Sequence, residues 1–390
     1  MTTSRHLNLM AWTFAALFIG LCLIQNFCFA DSIRFRQDNV NHELAGKVLV
    51  EASDGGVLFL DQAGHLWLVQ PDEIESLEKV DEELPSIKHD ALGEQIVADL
   101  PQGFKVETTD HWVIAYNTER IYAKYLGGLY ERLYRGYLKY WKSKRKWEQQ
   151  DPDRPLVAII FSSFDEYARF VKKDLGIDPP NSMVAYYNLM TNRVVMYDLT
   201  STLAGNSNTP QNDRQITEIL SNPNALAMVA TIIHEGTHQL MFNTGMQERL
   251  AATPVWVNEG LAMFFEVPDM RNNQGWRAIG QINGLRLTAF RLALQNGTRK
   301  ENSLVQMLSE DSGFRDPAQL LDCYAEAWAF NYFLLNRYGD EFTAYLKFLS
   351  EKKPLIEDTA EKRLEDFKKF FDKPLEELDQ EFVQYILRLQ

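Results

Sequence analysis

The sequence predicts an α+β fold: a small β module, then a mixed β-sheet supporting a helix that carries two histidines, then a helical C-terminal region. Three observations predict it. Short runs of β-branched and aromatic residues alternate with turn signals before residue 200. A helical pattern of apolar residues surrounds His234 and His238, and helical periodicity dominates from Gln281 onward. A chain of 390 residues can bury one large core and one small one.

Residues 1–30 have the features of a targeting segment. Arg5-His6 precedes an apolar stretch, and Cys28-Phe29-Ala30 resembles a small-residue cleavage site. This pattern predicts a signal peptide and an exported chain, either secreted or held in the periplasm or cell envelope. The apolar stretch is long for a signal peptide, so an uncleaved N-terminal membrane anchor is the alternative, and only then would the protein contact a membrane.

Composition and charge are those of a globular protein. The chain is 45% hydrophobic and 12% aromatic, which argues against disorder or a coiled coil. A net charge of −14, offset only by the short basic run Lys139–Lys146, argues against nucleic acid as a partner. Of the three cysteines only Cys323 lies outside the targeting segment, so the mature chain forms no intrachain disulfide. The oligomeric state is not predicted.

Residues 31–100 are predicted to form a small β-rich module followed by a linker. Three strand-like runs separated by turn signals would make a meander, and the acidic segment 71–90 is predicted to be the linker. A packing or spacer role is favoured for this module over ligand binding. The predicted strands are Gly46–Val50, Val57–Leu60 and His65–Val69.

Residues 101–280 are predicted to form an α+β subdomain, and residues 281–390 a helical one. Residues 200–224 are polar and lack periodicity, which predicts a long loop near the cleft. The predicted α+β elements are a hairpin at 104–116, a helix at 119–141, a strand at 156–161, a helix at 164–175 and a hairpin at 183–197. The predicted C-terminal helices are Gly284–Leu294, Leu304–Leu308, Pro317–Tyr338, Glu341–Leu349, Thr359–Phe371 and Leu375–Leu387.

The segment His234-Glu235-Gly236-Thr237-His238 is the most informative in the chain. Residues four apart share one face of a helix, so both imidazoles can reach the same metal ion, with Glu235 beside them. This is the H-E-x-x-H arrangement of zinc peptidases. The alternative interpretation is a helix with two surface histidines. The helix is predicted over residues 224–240, with Asn222 or Asn224 as N-cap and Gly245 as the stop.

A second acidic motif, Trp256-Val257-Asn258-Glu259-Gly260, supplies a third candidate ligand. A catalytic zinc site takes three protein ligands and keeps one open position for water. Glu259 would complete such a set with His234 and His238, and two imidazoles with one carboxylate favour Zn²⁺. Glu235 is then placed to accept a proton from the water and to pass it to the leaving amine.

These two motifs resemble those of the gluzincin metallopeptidases, which include thermolysin and the aminopeptidase-N-type enzymes. The Trp256–Ala262 pattern, W-x-N-E-G-x-A, is similar to the aminopeptidase side. From Val106 onward the chain resembles an uncharacterised family of secreted bacterial gluzincin-like proteins, a domain of unknown function. The resemblance implies a zincin-like catalytic domain, in which a mixed sheet backs the metal helix, and a zinc peptidase acting on a peptide or protein substrate.

The sequence departs from both branches of that group. Met263 stands where thermolysin-type enzymes carry an aspartate that orients a histidine ligand. The Gly-x-Met-Glu-Asn segment that binds a substrate amino terminus in aminopeptidase-N-type enzymes does not precede His234. An endopeptidase is therefore favoured over an exopeptidase.

Gluzincins commonly use a tyrosine or histidine of the helical region to stabilise the oxyanion. No histidine follows His238, so the resemblance points to Tyr324, for which a buried structural tyrosine is an equal alternative. Tyr186 and Tyr187, on the hairpin before the metal helix, are the other candidates, and they are also candidate substrate-binding residues. An extended peptide could add to this sheet edge as a strand.

Two functions from different classes remain open at this point. The first is a secreted zinc-dependent peptidase, and the second is a non-catalytic envelope-associated binding protein that retains a structural zinc site. The presence of Glu235 favours the enzyme, because a structural site has no need of a base at that position.

Overall fold

The computed structural model describes residues 30–80, 86–203, 210–270 and 276–390. This part of the chain divides into two units. The first runs to Gln62 and resumes over Leu66–Pro85, and the second comprises Ala63–His65 and Ser86–Gln390. The sequence analysis set the end of the β module near residue 100, whereas the structural division follows Pro85. Apart from Ala30, the predicted targeting segment lies outside the described residues.

The first unit is one antiparallel sheet of β1 (Asp31–Gln37), β2 (Val40–Glu51), β3 (Val57–Asp61), β4 (Leu66–Val69) and β5 (Ile74–Glu78). The strand order is β4-β3-β2-β1-β5. Two strands were not predicted, β1 and β5, and β5 lies within the acidic segment that the sequence assigned to a linker. Ile74 and Leu77 explain this strand, because they pack against the buried core that includes Phe35 and Phe59.

The second unit is built on a mixed sheet of β6 (Lys105–Thr108), β7 (Trp112–Tyr116), β8 (Leu156–Phe161), β9 (Ala185–Asn188) and β10 (Arg193–Tyr197). The order is β6-β7-β8-β10-β9. Strands β7, β8 and β10 are parallel, while β6 and β9 are antiparallel strands at the two edges. Every residue of β7 and β8 is buried, as expected for central strands with both faces covered.

Seven helices lie within the first part of this unit. They are α1 (His89–Ala98), α2 (Arg120–Arg145), α3 (Phe164–Leu175), α4 (Leu199–Leu203), α5 (Asp213–Leu220), α6 (Pro223–Asn243) and α7 (Val255–Phe265). The prediction of a long loop over residues 200–224 is wrong, because α4 and α5 occupy much of the described part of it. Ile216 and Leu220, four residues apart, are buried, and the Asn212 side chain accepts a hydrogen bond from the Gln215 amide at the start of α5.

The remaining described residues are mainly helical, as predicted. The C-terminal helices are α8 (Gly284–Gln295), α9 (Ser303–Ser309), α10 (Leu320–Arg337), α11 (Gly339–Ser350), α12 (Ala360–Lys368) and α13 (Leu375–Leu387). The predicted α+β class, with a β module, a mixed sheet and a helical C-terminal region, is confirmed. Within the described ranges no single helix has the length and apolarity of a membrane span, although α5 and α6 together meet that test across a bend of 104°.

Helices α7 and α10 approach closely at Gly260. A Cβ atom at this position would lie 1.9 Å from Nδ2 of Asn331 and 2.6 Å from the carbonyl oxygen of Ala327. Asn331 is fully buried, and its amide donates to the carbonyl oxygens of Trp256 at 2.8 Å and Ala327 at 2.9 Å. The glycine therefore sets the distance between the helix that carries Glu259 and the C-terminal helices.

Gly260→Ala should destabilise the protein by about 1–3 kcal/mol, because the added methyl group has no space between the two helices. Chemical unfolding followed by circular dichroism measures this change. Gly128→Ala, in the interior of α2, is the matched control: nothing lies within 4 Å of its added Cβ. It should be neutral or stabilising by up to about 1 kcal/mol. Equal stability of Gly260→Ala and the wild type would contradict the packing argument.

Candidate metal centre

Helix α6 lies between the N-cap and stop residues that the sequence indicates, and it extends three residues beyond the predicted end at 240. The Asn222 side chain accepts a hydrogen bond from the Asn224 amide at 3.1 Å, and Pro223 occupies the first helical position. Gly245, just beyond the C-terminal end, has a φ of +78°, which glycine adopts without strain. The two ends of α6 are thus set by residues close to them in the sequence, independently of contacts with the rest of the site.

Gln239 fixes α6 to the mixed sheet. Its side chain is completely buried. Nε2 donates to the carbonyl oxygens of Val157 at 3.0 Å and Asn192 at 2.9 Å, and Oε1 accepts from Nε1 of Trp112 at 3.0 Å. Breaking any of these bonds would leave an unpaired polar group in the core, which is costly. The bonds therefore restrain the rotation of α6 about its axis, and with it the direction of the two histidines.

Gly236, inside the histidine motif, allows α2 to pack against α6. A Cβ atom at Gly236 would lie 2.7 Å from Cε1 of Tyr130. The Tyr130 hydroxyl donates to the carbonyl oxygen of Ile232 at 3.2 Å. Burial raises the pKa of Tyr130, and the charge of Glu235 raises it further, so the hydroxyl remains a donor. Packing rather than chemistry thus explains the glycine in this motif.

The three predicted ligands converge on one point. Nε2 of His234 lies 3.0 Å from Nε2 of His238 and 3.1 Å from Oε2 of Glu259. Nε2 of His238 lies 3.6 Å from Oε1 of Glu259. Donor atoms around a tetrahedral ion with bonds of about 2.1 Å lie about 3.4 Å apart. The three separations lie within about 0.4 Å of this value, so His234, His238 and Glu259 could hold a metal ion.

Each imidazole is oriented by a hydrogen bond on its other nitrogen. Nδ1 of His234 lies 2.8 Å from Oε2 of Glu266, and Nδ1 of His238 lies 3.1 Å from Oδ1 of Asn258. With both Nδ1 atoms donating, each Nε2 can present a lone pair to a cation. The asparagine of the second motif therefore positions a ligand that stands on the other helix.

Glu266 is a site residue that the sequence analysis missed. Met263, where thermolysin-type enzymes have the orienting aspartate, is fully buried and apolar. Glu266 follows Glu259 by about two helical turns, which brings it back to the same side of α7. Its Oε1 accepts from Nδ2 of Asn283 at 2.7 Å, so both carboxylate oxygens are engaged. The seven-residue spacing from Glu259 was the available signal.

The cluster holds a buried charge. Burial disfavours the charged form of His234, but its hydrogen bonds to Glu259 and Glu266 outweigh this and raise the pKa of His234 well above 6.5. Burial favours the neutral form of Glu259, but His238 and His234 dominate and lower the pKa of that carboxyl group. The carboxylate is therefore ionised, and a cation bound here would replace a proton.

Glu235 lies between the three ligands and the edge strand β9. Its Oε2 accepts a hydrogen bond from the Tyr187 amide at 2.8 Å. Burial raises the pKa of Glu235, and the two histidines reduce this rise without cancelling it. The carboxylate is thus oriented by the sheet and is more basic than a solvent-exposed glutamate, both of which suit a proton acceptor.

The side chains of Tyr186 and Tyr187 form hydrogen bonds with residues other than the three candidate metal ligands. The Tyr186 hydroxyl donates to Oδ2 of Asp174 at 2.6 Å, and the Tyr187 hydroxyl donates to Oδ1 of Asn192 at 2.8 Å. Only the backbone amide of Tyr187 reaches the site, through Glu235.

Tyr324, on α10, lies beside the metal ligands. Burial raises the pKa of Tyr324, the carboxylates of Glu259 and Glu235 raise it further, and the guanidinium of Arg286 lowers it. Arg286 lies over the tyrosine ring, with Cζ 5.6 Å from the ring centroid. Tyr324 is therefore a protonated donor next to the candidate metal centre.

Glu266→Gln should weaken zinc binding by about ten- to a hundredfold, because an amide at this position cannot hold the His234 ring as a carboxylate does. Competition with a chromophoric chelator measures the affinity. His234→Ala should abolish binding, whereas Glu310→Gln, which removes an exposed carboxylate of the same region, should leave it unchanged. Wild-type affinity in Glu266→Gln would rule out the orienting role.

Comparison with known proteins identifies one domain. A family model described as a protein of unknown function (DUF1570) matches residues 228–356. No curated protein matches the chain. A domain of unknown function thus spans the three metal-ligand candidates, and Glu235, Glu266 and Tyr324 also lie within it.

Proposed function

We propose that this protein is an exported zinc-dependent peptidase of the gluzincin type, in which Glu235 is the general base. The observation that carries the proposal is the position of Glu235. Its carboxylate interacts electrostatically with all three candidate ligands, and the Tyr187 amide of β9 holds it in place through a hydrogen bond. A site that only bound metal would gain nothing from a basic carboxylate kept there.

Zinc is the metal that best suits the donor set. Two imidazoles and one carboxylate are typical of its catalytic sites, and three protein donors leave a fourth position open. A bound zinc ion would supply a Lewis acid that polarises a carbonyl group and lowers the pKa of a water molecule towards neutrality. His234, His238 and Glu259 would hold the ion, while Glu266 and Asn258 keep the two imidazole rings in place.

Glu235 would move the proton in both halves of the reaction. As the base, it accepts the proton of the attacking water, and as the acid it returns this proton to the amine that leaves. Burial raises the pKa of Glu235, which makes it a stronger base in the first role. The hydrogen bond from Tyr187 keeps one oxygen directed at the sheet and limits rotation of the other.

Tyr324 would stabilise the oxyanion that develops when water attacks the peptide carbonyl. A donor acts most strongly where charge appears only in the transition state. The hydroxyl of Tyr324 is kept protonated by burial and by the two neighbouring carboxylates, Glu259 and Glu235. Tyr324 stands on α10 and the base stands on α6, so the two groups would approach the substrate from different helices.

The edge strand β9 would bind the peptide backbone. The Tyr187 amide points out of the sheet towards Glu235, and alternate residues of a strand point the same way, so the backbone of Ala185 also faces outward. A substrate segment could add here as a further strand. Recognition through backbone groups requires neither chain terminus, which supports an endopeptidase.

Export rests on residues 1–30, whose basic start, apolar stretch and Ala30 end fit a signal peptide. Cleavage after Ala30 would release a protein that begins with Asp31. An uncleaved segment would instead anchor the enzyme at a membrane.

Glu235→Gln should retain zinc and the fold but lose peptide hydrolysis by several orders of magnitude, because an amide cannot accept the proton. Digestion of a broad peptide library, with a chelator-treated sample for comparison, measures the activity. Glu310→Gln should cleave as the wild type does. A zinc-loaded wild type that cleaves no peptide would contradict the proposal and favour the binding protein.

Tyr324→Phe should lower kcat by about a hundredfold or more with unchanged zinc content, since only the hydroxyl is removed. Tyr332→Phe, on the same helix, is the matched control and should cost at most about 1 kcal/mol of stability. Steady-state kinetics and unfolding curves for both variants distinguish catalysis from packing. An unaltered kcat in Tyr324→Phe would eliminate it as the oxyanion donor.

A further inference from the structure

Arg286 is a cation at the metal centre whose hydrogen-bonding capacity is not used by its neighbours. Its Nε lies 3.6 Å from Oε1 of Glu266, beyond hydrogen-bonding distance, and its side chain is 20% exposed. Across the described residues, the guanidinium group has no hydrogen-bond partner, although Nε is itself shielded from solvent. A guanidinium has five N–H donors, so this side chain is prepared for a partner that comes from outside.

Glu266 does not require Arg286 as a partner. One of its oxygens is engaged by Nδ1 of His234 at 2.8 Å and the other by Nδ2 of Asn283 at 2.7 Å. Both hydrogen bonds are shorter than the contact with Arg286. The arginine therefore contributes charge to this carboxylate but does not orient it.

The guanidinium of Arg286 lies between two residues of the candidate site, Glu266 and Tyr324. Its Cζ lies 5.6 Å from the centroid of the Tyr324 ring, and Tyr324 is adjacent to Glu259. Since the side chain is partly exposed, a ligand bound at the metal can reach it. The site also contains three carboxylates, those of Glu235, Glu259 and Glu266, so an anionic group that does not bind the metal itself would be repelled unless a second cation received it.

We propose that Arg286 is a specificity-determining residue that binds a carboxylate of the peptide substrate close to the scissile bond. This inference rests on the proposed peptidase function. The planar fork of an arginine matches a carboxylate through two parallel hydrogen bonds, and such charge-assisted pairs are strong when partly shielded from water. The carboxylate is either an acidic side chain or the free C-terminus, and the two share the same chemistry at Arg286.

Equilibrium binding measurements test the proposed role of Arg286 without requiring the protein to cleave the peptide. Zinc-loaded Glu235→Gln protein is titrated by calorimetry with two pairs of short peptides. One pair differs only by Glu or Gln at a single position, scanned along the peptide, and the other only by a free or amidated C-terminus. The member with the carboxylate should bind about ten- to a hundredfold more tightly in one of the two pairs. The pair whose two members bind with different affinities identifies the source of the carboxylate.

Replacement of Arg286 should remove this discrimination selectively. In Glu235→Gln/Arg286→Gln, the acidic peptide should lose its advantage while the neutral peptide binds as before and zinc content is unchanged. Arg291→Gln, on the same helix, is the matched control and should keep the discrimination. Arg286→Lys retains the charge beside Glu266 but not the bidentate fork, so most of the advantage should be lost in a protein that folds normally.

Two results would overturn the inference. One is equal binding of acidic and neutral peptides by the Glu235→Gln protein. The other is an equal loss for both peptides, or loss of zinc, in both Arg286→Gln and Arg286→Lys, which would make Arg286 a structural counter-charge for Glu266. If the proposed peptidase function is wrong but the role of Arg286 is right, the result differs from both of these. The wild type would cleave no peptide, yet the protein would still prefer peptides with a carboxylate, and this preference would depend on Arg286.

Discussion

The site depends on the distance between two helices. His234 and His238 stand on α6, while Glu259 stands on α7, and their donor atoms must come within about 3.4 Å of one another to share an ion. Gln239 fixes α6 to the sheet on one side. On the other side, Gly260 lets α7 lie directly against α10. A shift at either contact would separate the donors, so the chemistry rests on two packing positions that take no part in it.

The second motif is explained residue by residue in the same terms. Trp256 is fully buried among aromatic rings, Asn258 orients His238, and Glu259 supplies a donor. Gly260 permits the helix contact, and Ala262 is fully buried. The aromatic rings around the tryptophan are those of Phe330, Phe342, Tyr345 and Phe367. Residues that pack and residues that serve the candidate site therefore alternate along α7. This alternation explains the residue types of the Trp256–Ala262 motif.

Local sequence signals predicted many of the helices and strands of this protein. Three of these signals act over only a few residues: the cap at Asn222, the spacing of the two histidines and the turn between the strands of the last hairpin. The helix and the hairpin that they define match the structure closely. β1 alternates apolar and polar residues around Ile33 and Phe35, a signal that the sequence analysis missed, whereas the pairing of β5 is set by tertiary contacts of Ile74 and Leu77. Glu266 and Arg286 were missed for a similar reason. Their roles depend on which side chains α6, α8 and α10 bring to them, and this information is not local.

The division of the ligands between α6 and α7 has a consequence for how the chain is held together. Cys323 is the one cysteine among the described residues, and it is free, so no covalent bridge joins distant segments there. His234 and Glu259 are 25 residues apart along the chain, and an ion shared between them would close that loop as a bridge does. In the chain-entropy picture, closing a loop of this size with a disulfide stabilises a fold by about 3 kcal/mol. A metal ion bound here would thus serve as a reversible cross-link between α6 and α7, and its removal would empty the site and lower the stability of the fold in the same event.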